Sequence, residues 1–230
     1  MGEEGVAFVF NTPNRKSGAG YRKMGWRTVG RLPLYARPLR PAVPLRRTVP
    51  RGPGSAAPPA PLRPVSELLA RPETERFLAE LDRRRAADSR LRTVASLAYL
   101  SWRYASVPGL DYRACWAGDG EDAAALVVRM RRRRGLSEAS VSEILAGTPA
   151  GVDTAARLLR GLGAATAAHY AAAVATPGTG EHAALLKAGF LRLPNLGPRL
   201  LARPLGTGRG PNDPGKLDAW RLTTGTFELF

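Results

Sequence analysis

Apolar positions along the chain fall into short blocks whose spacing alternates between strand and helix. Val6 to Phe10 is a continuous apolar run of β-type residues, as expected of a buried strand. Asn11 to Trp26 follows, with Pro13 suited to a first helical turn and Asn11, Thr12 or Asn14 able to cap it. Gly25 supplies the left-handed residue that ends this helix, with Lys23 near its negative end. Residues 27 to 39 read as two short strands around Gly30-Arg31. From Pro38 to Pro64 repeated prolines leave neither periodicity, which marks a linker and a boundary.

Beyond the linker, Ser66 to Ala70 and Pro72 to Ala87 read as helices, the second setting Phe77, Leu78 and Leu81 against Arg83 to Arg85. Leu91 to Tyr104 reads as a further amphipathic helix. Asp111 to Ala117 and Ala123 to Met130 flank a Gly-Asp-Gly turn and predict a hairpin. Gly135 to Ile144 fits helix or strand. Asp153 is placed to cap a helix through Leu162, and a short strand follows around His169 to Val174. His182 to Lys187 reads as a helix ended by Gly189, followed by strands at Phe190 to Leu193 and Leu200 to Arg203. A last strand is expected within Ala219 to Phe230.

The pattern repeats. Met24-Gly25-Trp26 leads through a strand and loop to Ala36-Arg37-Pro38-Leu39, and Ala188-Gly189-Phe190 leads likewise to Ala202-Arg203-Pro204-Leu205. Each follows a helix with a lysine near its end, so one supersecondary unit is expected twice. The second copy has about a small domain's worth of chain before it, whereas residues 1–39 are too few to bury a core alone. The expectation is a first-domain remnant at 1–39, a linker at 40–64, and a fuller second domain at 65–230.

Composition narrows the chemistry. One cysteine, Cys115, rules out an internal disulfide, and two histidines are too few for a zinc site unaided by carboxylates, so no metal is expected. No apolar run reaches membrane-spanning length and the first residues are not a signal peptide, which makes a cytoplasmic protein the expectation. The net charge of +16 suggests nucleic acid. However, the charge is mostly scattered arginine in an Ala-, Gly- and Pro-rich chain, and no aromatic stacking motif accompanies its dense run at Arg131 to Arg134. Nucleic acid therefore ranks below the other partners.

Asn14, Ser17 and Tyr21 stand at i, i+3 and i+7 and share one helical face. The order N-x-x-S-x-x-x-Y-x-K-x-G-W resembles the penultimate-helix signature of the GNAT acetyltransferase superfamily, and the whole chain resembles the C-terminal portion of a tandem-GNAT protein. The resemblance implies an α/β fold with a mixed sheet, acetyl-CoA as co-substrate and an amine acceptor, here unknown. It implies Tyr21 as the general acid that protonates the departing thiolate, with Asn14 and Ser17 touching the pantetheine arm. A phenol of pKa about 10 donates without being ionised at neutral pH, which suits it to that step. No general base is identifiable.

The family's phosphate loop, [RQ]-x-x-G-x-[GA], has its nearest match in Arg132 to Ser137, where Ser137 replaces Gly or Ala and Glu138 adds an opposing charge. Gly178-Thr-Gly180 reads as a turn. Aligning Gly189-Phe190 with Gly25-Trp26 puts Leu185 where Tyr21 stands and Gly178 where Asn14 stands, so the second copy is expected to keep the fold and lose this chemistry. The resemblance therefore implies weak or absent turnover by this chain. A non-catalytic binding or scaffold module is the second expectation, and a basic nucleic-acid binder the third.

Overall fold

The computed structural model describes residues 6–14, 16–40, 60–205 and 212–227. The chain opens with β1 (Phe8–Asn11), α1 (Gly18–Lys23), β2 (Arg27–Arg31) and β3 (Leu34–Pro38). Most of the proline-rich linker, 41–59, lies outside the described residues. After it come β4 (Arg63–Pro64), α2 (Val65–Leu69), α3 (Thr74–Ala86) and α4 (Leu97–Leu100), the last continuing as a π-helical turn over Ser101–Ala105. A meander of β5 (Tyr112–Ala117), β6 (Ala124–Arg133) and β7 (Leu136–Ala146) leads into α5 (Pro149–Ala165). The chain then forms β8 (Tyr170–Val174), α6 (Gly180–Lys187), β9 (Leu191–Leu193), β10 (Arg199–Pro204) and α7 (Thr224–Phe227).

Several boundaries move for local reasons. The ambiguous stretch at 135–144 is a strand, because pairing with β6 on one side and β8 on the other satisfies its backbone. The helix expected from Asp153 begins at Pro149, since Thr148 Oγ1 accepts from Gly151 N and proline suits the first turn. The helix expected over 91–104 is confined to its second half. The last strand expected in the tail is a short helix preceded by single bridges, Leu91 to Trp220 and Ala175 to Thr223.

Among the described residues the strands make two sheets, a seven-stranded one ordered β4-β5-β6-β7-β8-β3-β9 and a three-stranded one ordered β1-β10-β2. The seven-stranded sheet is mixed, with β7 and β8 parallel and its other pairs antiparallel. Its faces are covered by α5 and α6 on one side and by α2, α3 and α4 on the other. A third core, around Trp220 and Leu200, lies between the small sheet and the C-terminal segment.

The repeat read in the sequence is present as β1-α1-β2-β3 and β8-α6-β9-β10, and the two copies exchange their last strands. β3 lies between β8 and β9, and β10 lies between β1 and β2. The registers match: Ala36 faces Ala172 and Leu191, while Ala202 faces Phe10 and Arg27. Both helices end alike, with Trp26 N donating to Tyr21 O and Phe190 N to Leu185 O, after glycines at φ 83° and 82°. The segments crossing between sheets touch each other, Leu32 N donating to Pro198 O at 2.9 Å. The boundary expected at 40–64 thus separates two segments in sequence but not in space, because residues 8–38 and 63–204 share both sheets.

Candidate functional site

In the first copy, Asn11 at the end of β1 sets the chemistry of Tyr21 on α1. Asn11 Oδ1 accepts from Thr12 N at 2.7 Å, which turns Asn11 Nδ2 toward the Tyr21 hydroxyl, also at 2.7 Å. An amide nitrogen can only donate, so the phenol oxygen accepts and its own proton is left to point elsewhere. Trp26 braces the ring edge-on, with centroids 5.0 Å apart. Asn14 and Ser17 come together, but on a different task. Asn14 Oδ1 accepts from Lys16 N, Ser17 N and Ser17 Oγ at 2.9–3.1 Å, organising the turn into α1. Tyr21's neighbour Asn11 had been read in the sequence only as a possible cap.

In the second copy the same helix is sealed. Leu185 at Tyr21's position is fully buried, whereas Tyr21 is half-exposed. Glu181 stands where Ser17 does and is held by Arg85 and Arg221 in a buried cluster, with Arg221 Nη2 to Glu181 Oε2 at 2.9 Å. Burial alone would raise the Glu181 pKa, but the Arg85 and Arg221 charges outweigh it and leave it below the usual range. Arg85 therefore does not belong to a solvated basic face of α3: it reaches inward to Ile144 O at 3.1 Å.

Parallel β7 and β8 pair only from Glu138–Val141 to Tyr170–Ala173 and then diverge. At the mouth of this wedge the N-termini of α5 and α6 meet around a cavity of about 440 Å³, lined by Gly147, Thr148, Gly178, Gly180, Arg85 and Arg221. The Nε atoms of both arginines are buried without an acceptor among the described residues. Two helix starts and two unsatisfied guanidinium N–H groups suit an oxyanion such as phosphate. The segment entering a helix here is Gly147 to Gly151, not Arg132 to Ser137. The latter forms the β6–β7 turn and its flanks, where no helix begins.

Deeper in, the chain's own C-terminal segment fills the wedge. Thr224 Oγ1 accepts from Val174 N at 2.8 Å and Leu222 N donates to Thr176 Oγ1 at 3.0 Å, taking up backbone and side-chain groups along the diverging end of β8. Glu143 lies in the same place. It follows a bulge at Ser142 and receives bonds from the Tyr104 hydroxyl at 2.6 Å and from Thr223 Oγ1 at 2.9 Å. Burial holds its carboxyl above the usual carboxylate range. This was invisible in the sequence, where Glu143 is one acid in an ambiguous stretch. Both its oxygens are taken, so it is not a free base.

Both histidines accept from backbone amides, His169 Nδ1 from Ser137 N and His182 Nδ1 from Gly178 N. Among the described residues no three His, Cys, Asp or Glu side chains gather as metal ligands, and no helix is long and apolar enough to cross a membrane.

No family model matches the chain, and no curated protein sequence does. A solved structure does: a GCN5-related N-acetyltransferase from Anabaena variabilis ATCC 29413, with a TM-score of 0.52 at 12% identity over 87% of this chain. The match spans 46% of that protein, so this chain covers less than half the length of the structure it resembles. At that identity the likeness speaks for architecture alone, and the chain has a mixed α/β, GNAT-like fold.

Proposed function

We infer that the chain is a GNAT-type N-acetyltransferase homologue of the cytoplasm, related to acyl transfer from acetyl-CoA to an amine, with the parts of such a site divided between its first copy and the chain beyond the linker. The first copy keeps the proton donor. Its carrying observation is the Asn11–Tyr21 bond, which leaves the phenol proton free to be given to a departing thiolate. The part of the chain beyond the linker keeps a cradle for phosphates at Gly147 to Gly151, Arg85 and Arg221, beside the second copy. The wedge between β7 and β8 is taken up by residues 222–224, where a pantetheine arm would have to enter. The phosphate end of acetyl-CoA fits the cradle; the thioester end meets the filled wedge.

The expected behaviour is loose acetyl-CoA binding, weaker than about 10 μM, and slow turnover. Calorimetry on the full chain measures the first, and acetyl transfer to a panel of amines the second. Any turnover present falls by about 10²-fold in Tyr21→Phe, the usual contribution of a placed acid. Micromolar acetyl-CoA affinity, or turnover indifferent to Tyr21→Phe, would overturn this reading. The filled wedge favours a second reading, a non-catalytic binding module, which an inactive but folded chain with unaltered partner binding in Tyr21→Phe supports.

A further inference from the structure

β1 occupies in the first copy the place that β8 occupies in the second, but one of its edges is open. Leu205 N donates to Ala7 O just as Leu39 N donates to His169 O, so the two strands are anchored identically. From that anchor the antiparallel register turns Val9 and Asn11 toward β10, leaving Phe8 and Phe10 to point their N–H and C=O groups the other way. In β8 the corresponding residues, Tyr170 and Ala172, face β7, which pairs with them in parallel. Among the described residues no strand pairs with the outer edge of β1.

The neighbouring helix tells the same story. Leu185 and Phe190 are sealed in the core that β7 and α5 complete, with at most 1% exposure, while their counterparts Tyr21 and Trp26 are half-open. Lys16, Arg22 and Lys23 are exposed on and just before α1, and residues 6–40 carry no carboxylate to offset them, so an acidic segment complements this face. β7 itself is such a strand, with Glu138 and Glu143 and no basic residue over Leu136–Ala146.

We propose that the outer edge of β1, with the open face of α1 beside it, docks a parallel β-strand of an acidic partner polypeptide in the register that β7 takes on β8. Main-chain bonds from Phe8 and Phe10 supply the pairing, and the cations around α1 select the acid. The partner strand would then lie beside Tyr21, a consequence that rests on the acyltransferase reading; the docking itself rests only on the repeat.

The probe is a capped peptide of the β7 sequence, Leu136 to Ala146, added at millimolar concentration to the full chain. Amide exchange at Phe8 and Phe10 should slow by about tenfold, with Val9 and Asn11 little changed. A paramagnetic label on the peptide N-terminus should broaden Phe8 more than Asn11, because Glu138 stands opposite the Phe8 equivalent in β8. A peptide with both glutamates replaced by lysine should bind at least about tenfold more weakly. Unchanged exchange, equal binding of the lysine peptide, or a label nearest Asn11 would each overturn the proposal. So would Phe8 and Phe10 already protected in a dimer without peptide, since that assigns the edge to a second copy. Docking without any acetyl transfer would count against the acyltransferase reading and leave the docking site standing.

Discussion

At the scale of single residues, the most consequential choices are polar groups whose partners lie far away in sequence. Glu143 is held by Tyr104 and Thr223, which are 39 and 80 residues distant. Its raised pKa has a definite sign in stability. Between the ordinary carboxylate value near 4.3 and its higher folded value, the folded chain binds more protons than the unfolded one, so stability falls as pH rises. Glu181 works oppositely: its lowered pKa adds stability that is lost as pH falls through the folded value. Glu143→Gln should therefore remove the decline on the alkaline side of pH 4.3 and leave the acid limb in place, measured by urea unfolding across pH. An unchanged alkaline slope would assign that decline to other groups. None of this was legible from residues 135–144, whose apolar spacing cannot say what faces Glu143.

At the scale of elements, the helices were the easier reading. The ends of α1 and α6 were visible because Gly25 and Gly189 are local signals that need no tertiary context. The tail was misread because the Phe227 end of the chain carries β-type residues, while its actual shape is set by the wedge it enters. Gly225 shows how tightly: a Cβ there would lie 1.9 Å from the Tyr104 hydroxyl and 3.0 Å from Ser142 O. Gly225→Ala should destabilise the chain by about 1–3 kcal/mol through overpacking. A denaturant midpoint unchanged from the parent would mean that the tail is not seated between β7 and β8. The same seating places residues 222–224 along the diverging ends of β7 and β8.

At the scale of the whole molecule, the exchange of β3 and β10 makes the two repeats one packed body. A protease site placed within residues 41–59 and then cut should leave the two pieces co-eluting and unfolding in a single transition, because β3 of the first piece lies between β8 and β9 and β10 of the second lies between β1 and β2. Separation of the pieces after cutting, or two transitions, would restore the picture of two units in tandem. The helical face expected of Asn14, Ser17 and Tyr21 is shortened, since α1 begins at Gly18 and Asn14 sits in the turn before it. The sequence by itself determined the repeat and the glycine ends of α1 and α6, because period and turn signals are local, and its motif carried the resemblance that implied a mixed α/β class. It could not say which copy each final strand joins. Ala-Arg-Pro-Leu occurs in both β3 and β10 regions, so either strand satisfies either sheet's pattern, and only the path of the chain through three dimensions distinguishes them. The wedge, its plug and the open edge of β1 all follow from that path, and tertiary structure alone decided them.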